Sequence, residues 1–248
     1  MFWRYEVTGV DTITLHFGES IDIALVERIH RAANALAHRL EQRLVDMVPS
    51  YTTLLLRYDL LSDDLASLLA DVTKTLSELP EAEDDRSAGK VVEIPVYYDP
   101  IVGPDLEAIA ALSGLSVEEV IRRHCARVYN VFAIGFAPGF AYLGEVPREL
   151  AAPRLATPRS KVPAGTLGIA DTQTAIYPLE SPGGWNLIGR TPLCLFDPQR
   201  ENPSLLEAGQ QVSFRAISRE EYLELGGRLD DLPWEADVSA RPDSGDQP

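Results

Sequence analysis

From Tyr129 onward glycine and proline interrupt the chain at such short intervals that no long helix can form. Ten of the eighteen prolines fall between Pro138 and Pro203. Proline fixes φ and removes a backbone donor, while glycine supplies tight turns. What remains between them is strand-length: Tyr129–Phe136, Thr172–Tyr177, Leu193–Phe196 and Gln211–Ala216. Many short strands so punctuated predict a closed or nearly closed β-barrel.

The first eighty residues read differently. Tyr5–Val7 and Thr12–Phe17 are strand-like around a turn near Gly9. Ser20 is placed to cap a helix whose apolar stripe, Ile29, Ala33, Leu36, Leu40, Leu44 and Met47, runs on to Pro49. Leu54, Leu56 and Tyr58 alternate in a further strand. A second helix, opening at Ser62, carries Leu65, Leu68, Val72 and Leu76. The ββαβα order predicts a small α/β sandwich over residues 1–82, so the fold class is α+β. Glu81–Lys90 is acidic and polar, and residues 83–90 read as a linker. After it Val92, Ile94 and Val96 alternate, with Pro95 arguing for an edge strand. A short helix runs from Gly103-Pro104 to Gly114, Ser116-Val-Glu-Glu119 is a capping box, and Ser218 caps a last short helix. The barrel domain is expected over 91–227, followed by a disordered acidic tail over 228–248.

Charge and composition narrow the function. The 248 residues carry 22 basic and 38 acidic side chains, a net charge of −16. Such a chain is repelled by nucleic-acid phosphates and by anionic membrane leaflets, so neither is an expected partner. No stretch has the length or apolarity to span a bilayer and no secretory leader is visible, so a cytoplasmic location is expected. Cys125 and Cys194 are too few for a disulfide framework and lack metal spacing, and the four histidines form no metal motif. Nucleotide loops and nucleophile elbows of the usual patterns are absent.

Chemistry concentrates between Phe136 and Pro192. Five basic residues there face four acidic ones, a local charge of +1, so the rest of the chain holds −17. Arg154, Arg159, Lys161 and Arg190 could clamp an anion, or could be ordinary surface ion pairs. GFAPGFAYLG sets Gly139 among Phe136, Phe140 and Tyr142, and SPGGW sets Gly183 and Gly184 before Trp185. Glycine allows close backbone approach and the rings give flat walls, so the two loops could form a groove; tight barrel corners are the alternative. His124 lies on the apolar stripe of its helix and is either a satisfied core residue or a general acid/base. Gln173 and Tyr177 flank the groove loops as candidates to orient a substrate.

These residues carry a family resemblance. GFAPGFAYLG, PRLATPRSKVPAGTLGIADTQTAIYP and SPGGWNLIGRTPLCLFD resemble the family of 5-oxoprolinase B subunits, also called KipI-like or allophanate hydrolase subunit 1. The likeness extends back through GLSVEEVIRRHCARVYNV and VPSYTTLLLRYD and covers most of residues 5–225. It implies an N-terminal α+β domain and a cyclophilin-like barrel. It also implies two partners, a carboxyltransferase-like protein (the C subunit) and a LamB/YcsF-like protein (the A subunit). Together the three open the lactam of 5-oxoproline to glutamate with ATP hydrolysis. ATP is then a co-substrate, with any Mg2+ held in the complex, and no tightly bound cofactor or metal site is expected in this chain. On that reading Arg154, Arg159, Lys161 and Arg190 form the anion clamp. Phe136, Gly139, Phe140, Tyr142, Tyr177, Gly183, Gly184 and Trp185 form the walls, and His124 and Gln173 serve proton transfer and orientation. Two other functions known in the family are inhibition of a sensor histidine kinase, through the same aromatic groove, and a role in urea or allophanate metabolism.

Overall fold

The computed structural model describes residues 3–20, 22–79 and 91–234. The chain divides into two compact units, residues 1–90 with 130–133 and 207–211, and the remainder. The expected linker 83–90 lies outside the described residues.

The N-terminal unit begins with strands β1 (Arg4–Val7) and β2 (Thr12–His16), then helix α1 (Ile23–Leu40). Strands β3 (Leu44–Pro49) and β4 (Thr53–Tyr58) and helix α2 (Leu65–Glu78) complete it. The sheet order is β1-β2-β4-β3. Ile13, Leu15, Leu54 and Leu56 from the sheet pack against Ile29, Leu36, Leu68 and Val72 from the helices, all fully buried. Each such side chain contributes roughly 1.5–3 kcal/mol relative to exposure.

Three expectations fail here. Helix α2 opens at Leu65 rather than at Ser62, capped by Asp64, whose carboxylate accepts from Ser67 N at 2.8 Å. The cap of α1 is Asp22, whose carboxylate accepts from Ala24 N at 2.9 Å, rather than Ser20. The helix also ends at Leu40 instead of running to Pro49, because Glu41 takes a positive φ of 46° and turns the chain into β3. Leu44 and Met47, three apart, fit a helical stripe; in the strand a bulge between Leu44 and Asp46 brings both against the core. Met47 pairs opposite buried Leu56, so the sheet claims it.

The remaining elements build the barrel, one of whose strands takes in residues 130–133. Its elements are β5 (Val92–Tyr97), α3 (Leu106–Ser113), α4 (Val117–Cys125), β6 (Val128–Ile134) and β7 (Ala141–Leu143). Then follow β8 (Arg159–Val162), β9 (Thr166–Ala170), β10 (Gln173–Ile176), β11 (Ser181–Gly183), β12 (Asn186–Arg190), β13 (Gln211–Ile217) and α5 (Arg219–Glu224). Seven strands close in the order β10-β7-β6-β13-β5-β12-β9, and β8 with β11 forms a separate two-stranded ribbon. The α+β class and the barrel expected from the glycine–proline texture are both present.

Strand β5 is not an edge. It pairs in parallel with β13 along its length, while β12 meets it only where Arg190 faces Tyr97. Pro95 therefore sits where one flank needs no ladder donor. Leu193–Phe196, expected as a strand, forms only a bridge between Phe196 and Ser204. Ser116 caps α4 as expected, its Oγ accepting from Glu119 N at 3.2 Å, while the Glu119 carboxylate accepts from Arg122 and Arg123.

Part of the expected disordered tail is packed. The Asp231 carboxylate takes two hydrogen bonds from Arg190, of 2.6 and 2.8 Å. Leu232 is buried, and the Trp234 indole donates to Ile101 O at 2.7 Å. Acidic composition suggested solvation, but a buried arginine needs a carboxylate and Asp231 supplies it. Residues 235–248 lie outside the described residues. Trp234→Ala is expected to lower stability by about 1–2 kcal/mol, read as a lower urea midpoint of the far-UV circular dichroism. An unchanged midpoint would show that the segment contributes nothing.

Candidate functional site

A cleft of about 260 Å3 opens on the C-terminal unit. Its floor follows from two turns. In the first, Gly135 N donates to Phe140 O and Phe140 N to Ala137 O, both at 3.0 Å. Gly139 takes φ +77° there, and a Cβ on it would lie 2.8 Å from Phe196 Cβ, so only glycine fits. Phe136 also has a positive φ, 71°, and stays 69% exposed. For a bulky side chain that conformation costs of order 1 kcal/mol. The second turn precedes β12 and sets Gly183 and Gly184 beside Trp185, with Leu155 N donating to Gly184 O at 2.7 Å.

Buried Phe140 is the hub of the rings. Phe136, Tyr142, Tyr177 and Trp185 meet it in edge contacts with centroids 4.9–6.0 Å away. Edge-to-face geometry sets the positive ring edge against a negative face and so fixes relative orientation as well as burying area. The Arg154 guanidinium lies 5.8 Å over the Trp185 ring and 3.8 Å from the Asp171 carboxylate. With its side chain 60% exposed, that ion pair is weak, and the cation stays available to an incoming anion. Burial pushes the Tyr177 hydroxyl up to about 12, with Arg154 and Arg159 opposing. At neutral pH Tyr177 is therefore an O–H able to donate a hydrogen bond.

The anion clamp expected from four basic residues is not assembled. Of the four, only Arg154 lines the cleft. Arg159 is paired with nearly buried Asp105 at 2.7 Å, and the other Asp105 oxygen accepts from Leu187 N, also at 2.7 Å. Arg159 touches the site only through a 3.5 Å contact from Nη1 to Trp185 O. Lys161 pairs with Glu180 at 3.0 Å on the surface. Arg190 is 5% exposed and fully used, donating to Asp231, to Arg228 O and to Ala164 O. A carboxylate partner reached each of these three first, and none of those pairings is visible in sequence spacing.

His124 is not a catalytic acid or base in this cleft. It is fully buried, stacked against Tyr129 and Phe214. Thr174 Oγ1 spends its proton on Gly168 O at 3.0 Å, so it must accept from His124 Nε2 at 3.2 Å. Nδ1 then accepts from the Tyr98 hydroxyl at 2.9 Å, which itself accepts from Cys125 Sγ. Burial drives the imidazole down to about 3. It is a neutral core histidine. Gln173, at the start of β10, does not line the cleft either. Pro158 and Pro182 do, although sequence reasoning passed over them; their neighbours in the basic and SPGGW segments were the available signal. Among the described residues no group of acidic, histidine and cysteine side chains could hold a metal ion. None of their helices is long and apolar enough to cross a membrane.

The sequence pattern of the carboxyltransferase domain, subdomain C and D, matches residues 3–206. The 5-oxoprolinase B subunit of Bacillus subtilis (strain 168) is 40% identical over 230 residues, 89% of this chain and 95% of that protein. Its counterpart in Escherichia coli O157:H7 is 40% identical, covering 85% of this chain and 94% of its own length. The chain belongs to the family of 5-oxoprolinase B subunits. Among solved structures, TTHA0988 is 41% identical with a TM-score of 0.74 over 84% of this chain, which spans only 40% of that longer protein. PH0987 from Pyrococcus horikoshii is 40% identical with a TM-score of 0.54, covering 88% of this chain and 100% of its own. The Kluyveromyces lactis urea carboxylase, 19% identical with a TM-score of 0.67 over 93% of this chain and 23% of its own, shares the fold.

In this member of the 5-oxoprolinase family, the second glycine turn carries a specific steric demand. A Cβ at Gly183 would lie 2.1 Å from the Tyr177 hydroxyl oxygen. Gly183→Ala is therefore expected to tilt Tyr177 off Phe140 and cost about 1–3 kcal/mol. A lower urea midpoint together with a shift of the tryptophan emission maximum checks it, and wild-type values of both would show that the turn relaxes freely.

Proposed function

We propose that this chain is the B subunit of an ATP-dependent 5-oxoprolinase, and that its aromatic cleft holds the lactam. The observation that carries the reading is one loosely held guanidinium, Arg154, above a wall of rings that includes the neutral Tyr177 hydroxyl. A small flat ring with a single carboxylate matches that set. The ring lies against Trp185 and Tyr142, the carboxylate meets Arg154, and the Tyr177 O–H donates to an oxygen of the ligand. In hydrolysis the amide C–N bond breaks, and water supplies the new carboxyl oxygen and the protons that leave glutamate with a free amine. A donor aimed at the oxygen where charge develops lowers the barrier to that step.

A triphosphate is a poor match for the same cleft. It needs several uncommitted cations or a nest of backbone N–H groups. Arg159 and Arg190 are committed to carboxylates, and Lys161, in a surface pair with Glu180, does not line the cleft. ATP is accordingly assigned to the two partners, the carboxyltransferase-like protein and the LamB/YcsF-like protein. The naming of the relatives as one subunit of 5-oxoprolinase supports the existence of partners. The exposed, strained Phe136 at the cleft mouth suits contact with one of them.

The test is reconstitution. This chain with both partners should hydrolyse ATP in response to 5-oxoproline and release glutamate, and omission of this chain should stop it. Lactam-independent ATP hydrolysis at the full rate would overturn the reading. Suppression of a histidine kinase by the chain alone would favour the inhibitor function instead.

A further inference from the structure

The four-stranded sheet of the N-terminal unit has two edges of different character. Edge strand β3 carries devices that discourage pairing: a bulge between Leu44 and Asp46, a charge at Asp46 and proline at its end. Edge strand β1 has neither bulge nor proline, and its two charges, Arg4 and Glu6, are of opposite sign. All four of its residues are exposed, and Tyr5 and Val7, 47% and 55% exposed, share the face of Leu15 and Ile13 in the core.

The free backbone groups of β1 can be identified. Thr8 N donates to Thr12 O at 3.1 Å, and hydrogen-bonded pairs recur at every second residue of an antiparallel ladder. Glu6 with Thr14 and Arg4 with His16 therefore exchange bonds across to β2. The N–H and C=O of Tyr5 and Val7 point to the open edge, as do those of Trp3 if the strand is prolonged by one residue.

We infer that β1 pairs antiparallel with β1 of a second copy of this chain, about a two-fold axis at Tyr5. Three symmetric registers pair more than one of the outward residues. One sets Arg4 opposite Arg4 and another sets Glu6 opposite Glu6, each a like-charge pair. The third sets Tyr5 opposite Tyr5, and only there does Arg4 of each copy face Glu6 of the other. In that register exposed Tyr5 lies opposite Tyr5 and exposed Val7 opposite Trp3, which is half-buried against its own core, so apolar side chains of the two copies meet. The segment Trp-Arg-Tyr-Glu-Val is thus its own complement in charge and in hydrophobicity. The result is one continuous eight-stranded sheet, a closed and isologous association. The contact is a single strand pair, so the dimer is weak, forming in roughly the micromolar range.

Sedimentation velocity of the full chain from about 1 to 500 µM tests this. A reversible monomer–dimer equilibrium is expected. Glu6→Arg and Arg4→Glu should each weaken it by about tenfold or more, and the double reversal should return it to within about threefold of wild type. Tyr5→Pro deletes an outward N–H while sparing the β1–β2 ladder, so it should abolish the dimer. Circular dichroism reports whether that variant folds, and the charge reversals decide the matter if it does not. A monomer throughout the range, or a dimer indifferent to the charge reversals, overturns the proposal. So does a β1 edge that becomes protected from hydrogen exchange only when the two partner proteins are added.

Discussion

Arg154→Met is expected to raise KM for 5-oxoproline by about 10- to 100-fold in the reconstituted enzyme, the loss of one charge-assisted bond to a carboxylate. Its urea midpoint should hardly move, because the side chain is mostly exposed and its ion pair with Asp171 is long. Arg159→Met should do the opposite. It strands the nearly buried Asp105 and loosens the contact to Trp185 O, so about 2–4 kcal/mol of stability should go, with a smaller change in KM. Steady-state kinetics and urea unfolding on the two variants separate binding from support. An unaltered KM in Arg154→Met would remove the carboxylate from this cleft. Wild-type stability in Arg159→Met would show that Asp105 finds another partner.

Acid should weaken the barrel through His124. Its folded value of about 3 lies below the ordinary 6.5, because the neutral imidazole is sealed in the core. Between those two values the unfolded chain binds the extra proton. The contribution is therefore fully present above pH 6.5 and is lost as pH falls toward 3, by about 1.4 kcal/mol per pH unit. His124→Gln keeps a donor for Thr174 and does not titrate. Its stability should be lower than wild type at pH 7, and the gap should narrow steadily by pH 4.5, as followed by urea titrations at several pH values. Equal slopes for the two proteins would mean that His124 gains solvent, or a proton, without unfolding.

Both experiments turn on side chains whose type was evident in the sequence and whose partners were not. Rings beside glycines could be read as a groove because turn chemistry is local: Gly139 must be glycine for its own φ, and the neighbouring rings follow the turn. The cap at Ser116 and the stripe of α2 were legible for the same reason. Met47 was not, since its spacing of three from Leu44 reads as a helical stripe, and only the bulge between Leu44 and Asp46 puts both on one face of a strand. The sheet settled it by pairing Met47 with Leu56.

Sequence alone determined that an α+β unit precedes a many-stranded barrel, because periodicity and glycine–proline punctuation act within a few residues. It also determined that aromatic and basic side chains gather after Phe136. Tertiary structure decided which cation is available. Arg159 finds Asp105 54 positions away and Arg190 finds Asp231 41 positions away, while Arg154 stays in solvent over Trp185. It likewise decided that His124 is core. Ion pairing and desolvation depend on distance and dielectric in space, and the linear order of residues encodes neither directly.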